Sequence, residues 1–240
     1  MEIEKIESLE QASQNINMDI TASENINKND KNPEEAREFA SNKEVGAYSG
    51  DYHGAFSLEK FANAGSLYYT HEDAKGFMDY LSIFNPRNFW YKDRNVKIWA
   101  YYEQYDNWRD TYGMDAVKTI YHSGHGGMTG SGKFYIPLGG SWGGLGTTAW
   151  SDQMKLGNEQ ARYIFWSTCL SLRVTGGHSP IRTWSSQPNP GFRMIFGYNT
   201  ISYDNPNYGK YFWQEWNNNK SFSTAFMDAS WSISHRPSTS

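Results

Sequence analysis

Apolar positions are scattered through the first 44 residues and gather into short runs from Val45 onward. The opening stretch carries eleven acidic against five basic side chains, many asparagines and one aromatic residue, Phe39. So little apolar surface cannot offset the entropy of ordering. Residues 1–44 are therefore expected to form an acidic, poorly ordered arm or pro-segment, and residues 45–240 one globular domain. Within that domain, Glu44–Gly50 reads as a first strand closing in the turn Asp51-Tyr52-His53-Gly54. Thr70–Leu81 has helical spacing, Thr70 as the expected N-cap, and Glu72 and Asp73 in its first turn. Strands are expected at Val96–Tyr102, Ala116–His122, Ala161–Thr168 and Phe192–Tyr198, and closing helices at Tyr208–Trp216 and Phe222–Ser232. The glycine-rich stretch Gly124–Gly146 reads as a mobile loop holding one short edge strand, Lys133–Leu138. Alternation of this kind implies an α/β fold with a mainly parallel sheet covered on both faces. In such sheets functional groups gather beyond the carboxyl ends of the strands.

Composition narrows the function classes. A net charge of -4 and a pI near 5.9 argue against a nucleic-acid partner, which requires clustered Lys and Arg. No apolar run approaches the roughly 20 residues of a membrane span. The start, Met1–Glu7, lacks the basic and apolar regions of a secretory signal, so a cytoplasmic location is the default expectation, with export of a processed form left open. The glycine-rich stretch lacks the Gly-Lys-Ser/Thr phosphate cradle, so a nucleotide cofactor is not expected. Aromatic side chains make up 17% of the chain. Trp142, Trp184 and Tyr203 fit substrate subsites or cover for the sheet, and Trp213 fits the core.

Two runs carry chemistry. Ile120-Tyr-His-Ser-Gly-His-Gly-Gly127 delivers His125 into a glycine turn, and Tyr163-Ile-Phe-Trp-Ser-Thr-Cys-Leu170 delivers Cys169, the only cysteine. A lone cysteine excludes an internal disulfide and a Cys-rich zinc site, leaving packing or its own reactivity. A nucleophilic thiol needs an imidazole to take its proton and donors for the tetrahedral oxyanion. His125 suits the first role. The backbone N–H groups of Gly126 and Cys169 suit the second, because glycine leaves that approach open. No third residue orienting the histidine is evident. His122 and His125 could instead ligate a metal, but no further ligand lies near them in sequence, and none is expected. His178 is a loop residue that could line the same cleft.

A strand ending in His-Gly, followed 40 to 50 residues later by a strand ending in a small residue and Cys, resembles the caspase-like cysteine peptidases. That superfamily includes caspases, metacaspases, legumains, gingipains and separases. More narrowly, Asp51-Tyr52-His53, Gly76-Phe77, Trp99, the Ser-Gly-His-Gly turn, Cys169 and Gly209-Lys-x-Phe-Trp213 resemble an uncharacterised prokaryotic family within it, DUF6345. The resemblance implies a three-layer α/β/α sandwich and a Cys-His dyad, His125 and Cys169, that hydrolyses peptide bonds through an acyl-enzyme. Around the nucleophile this chain has Ser167-Thr-Cys-Leu-Ser171 instead of Gln-Ala-Cys-x-Gly, so cleavage after aspartate is not implied. Asp51, His53 and Ser167 are the expected substrate-pocket residues, with Asp51 favouring Lys or Arg. Peptide or protein substrates are the expected partners. No cofactor is expected, calcium activation and oligomeric state are open, and self-cleavage would fall after Lys28, Lys31, Arg37 or Lys43. The alternatives are a catalytically silent binding or scaffold module, and a transpeptidase or ligase on the same dyad.

Overall fold

The computed structural model describes residues 52–175, Trp184 and residues 193–233, with the backbone alone at residues 106–108. The arm over 1–44, the strand expected at Glu44–Gly50, Asp51 and His178 lie outside the described residues. In chain order the elements are β1 (His53–Ser57), α1 (Thr70–Leu81), β2 (Arg87–Lys92), α2 (Asp106–Tyr112), β3 (Thr119–Ser123), β4 (Gly127–Met128), β5 (Phe134–Pro137), β6 (Thr148–Trp150), β7 (Tyr163–Ser167), β8 (Met194–Phe196), α3 (Tyr208–Asn217) and α4 (Phe222–Ser232).

Five strands form an all-parallel sheet in the order β2-β1-β3-β7-β8. The fold is thus α/β, a parallel sheet flanked by helices, as the alternation of runs implies. The chain leaves β1 toward β2 on one side and returns to place β3 on the other. The carboxyl ends of β1 and β3 therefore flank a reversal in strand order, the usual place for a cleft in such sheets.

Alternation along each central strand splits the core in two. Ala55, Tyr121 and Phe165 face α1, α3 and α4, where Phe77 stacks on Tyr121 with ring centroids 4.3 Å apart. Their neighbours Phe56, Ile120 and Trp166 belong to the opposite cluster with Trp99, Tyr101, Phe134 and Trp142. Both faces are buried, which explains why these strands read as apolar runs rather than alternating ones. On the helical face α1 and α3 cross closely. A Cβ on Gly209 would lie 2.6 Å from the Phe77 Cβ, and one on Gly76 would lie 3.1 Å from the Lys210 Cβ. α4 starts at Ser221, whose hydroxyl accepts the Thr224 N–H at 3.2 Å.

Several expectations are corrected. Val96–Tyr102 is not a strand; Ile98–Ala100 forms a tight 3₁₀ turn. Its apolar residues are consecutive, and all of Ile98–Tyr102 is buried beneath the sheet, where an irregular chain fills volume. The edge strand is Arg87–Lys92, whose polar ends masked the buried Phe89 and Tyr91. The first described strand begins at His53, so His53 is strand rather than turn. Phe134–Pro137 is the middle strand of a three-stranded antiparallel sheet, not an edge. The stretch expected as a mobile loop is that second sheet, with Trp142 only 1% exposed in the core. Thr70 is the first helical residue and caps nothing; Tyr69 holds the N-cap position without a side-chain bond. Among the described residues no helix is long and apolar enough to cross a membrane.

Candidate functional site

Strand register sets the floor of the site. Ser57, Ser123 and Ser167 occupy matched positions at the carboxyl ends of β1, β3 and β7. In-register neighbours of a parallel sheet share a face, and this row lies under the first turn of α1. Ser123 donates to Asp73 Oδ2 at 2.8 Å, and Tyr121, two residues earlier, donates to Oδ1 at 2.8 Å. The Gly209 N–H of α3 donates to Oδ1 at 2.9 Å. Burial nevertheless pushes the Asp73 carboxyl up to about 6, against those hydrogen bonds and one from Ser167.

Ser57 sits 2.8 Å from His71 Nδ1, and His71 Nε2 sits 3.2 Å from Asp93 Oδ2. The series has the residue types of a serine-nucleophile relay. Ser57 is fully buried and also accepts the Trp90 indole N–H at 2.8 Å, so it anchors α1 over the sheet.

Just beyond the serine row a small polar cavity opens. It is lined by His125, Cys169, Asp73, Thr70, Ser202 and Asp204, with Ser167 and Tyr203 on its wall. The structure thus brings together His125, Cys169 and Ser167, three residues singled out by sequence. Gly126 packs directly on the loop that carries Cys169: a Cβ there would lie 2.4 Å from the Cys169 carbonyl oxygen and 3.0 Å from the Thr168 Cβ. Cys169 leads into a sharp turn, with Leu170 in the left-handed region at φ 60 and its N–H bonded to the Thr200 carbonyl at 3.0 Å. Such backbone costs about 1–3 kcal/mol and persists where the surroundings fix it.

His125 is half-buried against the Phe61 ring, centroids 4.7 Å apart, and its Nε2 lies 2.9 Å from the Gly65 carbonyl. A carbonyl only accepts, so Nε2 carries the proton and Nδ1 keeps the lone pair. The third group missing from the sequence is thus a backbone oxygen of the loop after β1, which no side-chain pattern can reveal. Desolvation lowers the His125 pKa, opposed by the Gly65 bond and the charge of Asp204. Asp204 accepts the Tyr68 and Tyr69 N–H groups at 2.6 and 3.2 Å and so ties that loop to the turn after β8.

The Cys169 thiol is 5% exposed and faces Ser202, at 3.6 Å from its hydroxyl and carbonyl oxygens and 3.4 Å from its nitrogen. Burial raises its pKa, and the Ser202 contacts and its own N–H counter that. Among the described residues no hydrogen bond joins Cys169 to His125. Among the described residues the N–H groups of Gly126 and Cys169 donate no backbone–backbone hydrogen bond, and the Cys169 N–H faces its own thiol.

Other candidates fall away from the cavity. His53 opens β1 at its amino end, about 13 Å along the strand from Ser57, where it contacts Ser82 at 3.2 Å. The structure therefore does not bring His53 to the cavity with His125 and Cys169; Asp51 is outside the described residues. His122 points to the other face, 2.9 Å from the Tyr101 hydroxyl, and does not converge with His125. Burial holds it neutral, its pKa lowered to about 3. Trp142, Trp184 and Trp213 are core residues. Among the described residues no group of three or more His, Cys, Asp or Glu is placed to hold a metal ion. Asp73 reads in the sequence only as an acid in the first turn of a helix and Asp204 not at all, although the polar turn Tyr203–Asn207 after a strand is a visible signal.

The family described as a domain of unknown function, DUF6345, matches residues 50–239. No curated protein and no solved structure matches the chain.

Proposed function

This chain belongs to the DUF6345 family, and we propose that it is a caspase-like cysteine peptidase with Cys169 as nucleophile and His125 as base. One observation carries the reading. His125 and Cys169 come from neighbouring parallel strands and line one cavity at their carboxyl ends, with His125 Nε2 occupied by the Gly65 carbonyl. That bond leaves Nδ1 free to accept the thiol proton.

The reaction begins as the thiol leaves Ser202 and passes its proton to His125 Nδ1. The thiolate attacks the peptide carbonyl carbon, and the oxygen takes the electron pair as an oxyanion facing the Gly126 and Cys169 N–H groups. His125 returns the proton to the leaving amine as the C–N bond breaks, leaving a thioester. Water, deprotonated by His125, then releases the acid and restores the thiol. The resting thiol is protonated and does not yet touch the imidazole, and catalytic hydrogen bonds commonly tighten only with substrate bound.

That same resting geometry favours a second reading, a module that binds peptides on this fold without turnover. Intact mass after incubation with peptide acyloxymethyl ketones separates the two. A peptidase gains one probe mass in wild type and none in Cys169→Ala or His125→Ala. Unchanged mass in all three proteins, with every warhead side chain tried, favours the binding module.

A further inference from the structure

We propose that the cleft beside Cys169 selects a cationic side chain, a peptide arginine or lysine, held by Asp204 and Asp73. The inference names the substrate class of the proposed peptidase site, yet its test does not depend on turnover.

Apart from His125, which desolvation holds toward its neutral form, the charged residues lining this cavity among the described residues are two carboxylates, Asp73 and Asp204. Among the described residues the hydrogen bonds to those carboxylates come from neutral donors. Asp73 accepts from Tyr121, Ser123 and Gly209, and Asp204 from two backbone N–H groups. Neutral donors satisfy lone pairs but leave the net charge of a buried carboxylate uncompensated, and that charge is what low-polarity surroundings penalise. In both residues burial raises the carboxyl pKa, and the opposing charge at Asp204 is that of His125.

Thr70 supplies an independent mark of a ligand. It is 3% exposed, lines the cavity three residues before Asp73, and its hydroxyl has no hydrogen-bond partner among the described residues. A buried hydroxyl without a partner costs free energy until something occupies the space before it. A guanidinium or ammonium brings N–H donors for Thr70 and Asp204 together with the positive charge. Leu67 gives the methylene stem an apolar wall. A glutamate or aspartate side chain would meet like charge there, so the cleft discriminates by repulsion as well as attraction.

The test is isothermal titration calorimetry on Cys169→Ala protein, which cannot turn over, with acetylated tripeptide amides ending in arginine, citrulline or glutamate. Citrulline keeps the shape of arginine and removes its charge. Selection by charge predicts arginine binding roughly tenfold or more tighter than citrulline, with glutamate weakest. Adding Asp204→Asn should bring the arginine-to-citrulline ratio toward one, and Asp73→Asn should reduce it. Circular dichroism melts show whether each variant is folded, and Asp204, being half-exposed, is the safer of the two. Equal binding of arginine and citrulline, no binding of either, or a ratio unchanged in both variants overturns the proposal. Selective arginine binding by a protein that no ketone labels would uphold it while removing the peptidase reading. Labelling of Cys169 without charge preference would do the reverse.

Discussion

The α-carbon of Gly126 rests against the carbonyl of Cys169, so closely that a Cβ would come within 2.4 Å of that oxygen. The glycine after His125 is thus required by packing as well as by any oxyanion role, since it lets the loops after β3 and β7 touch. Gly126→Ala must push them apart, and overpacking of this kind costs about 1–3 kcal/mol. The expected outcome is a lower urea midpoint, with ketone labelling of Cys169 slowed by more than the stability loss explains. Unchanged stability and labelling would mean that the loops yield freely.

Asp73 should write itself into the pH dependence of stability. Its pKa is about 6 in the folded protein against 3.8 without burial. Between those values the native state holds a proton that the unfolded chain has released, so this residue makes stability fall as pH rises through the window. The gap is worth about 3 kcal/mol. Relative to wild type, Asp73→Asn should gain stability from pH 4 to pH 7, and parallel profiles in urea unfolding would contradict the buried, charged assignment.

His122 pulls the other way. With its pKa lowered to about 3 from 6.5, it supports folding in full above pH 6.5, and that support drains as pH falls toward 3. By pH 4 the loss reaches about 3 kcal/mol. His122→Leu carries a constant penalty for the lost Tyr101 contact but should no longer be weakened by acid at this site. Its unfolding midpoint, compared with wild type at pH 7 and pH 4, reports the difference; an equal drop in both proteins would place the acid sensitivity elsewhere.

Ser202 holds the thiol pKa down through its hydroxyl and N–H, against the larger effect of burial. Ser202→Ala should therefore slow alkylation of Cys169 by iodoacetamide at pH 7.5 and move the midpoint of its pH–rate profile upward. A midpoint that stays or falls would show that the hydroxyl does not stabilise the thiolate.

Period and apolar runs were enough to place α1, α3 and α4 and the three strands β3, β7 and β8, because buried central strands and amphipathic helices leave local patterns. The same runs marked His125 and Cys169, since a His or Cys just after a strand is a statement about neighbours in sequence. The register that aligns Ser57, Ser123 and Ser167 is not local. Neither is the arrival of the Gly65 carbonyl at His125, sixty residues away, nor the meeting of Asp73 with Gly209 across 136 residues. The second sheet was misread because its glycines signal loops when taken singly, whereas here Gly126, Gly127, Gly139 and Gly140 mark close packing. What the chain determined by itself is therefore the closing and covering helices, the central strands β3 and β7 with β8, and the two candidate side chains after those strands, each encoded over a few residues. Which polar groups converge on those side chains, and the charge of the cleft they make, follow from strand order and helix crossing, and only long-range packing in the folded chain decides these.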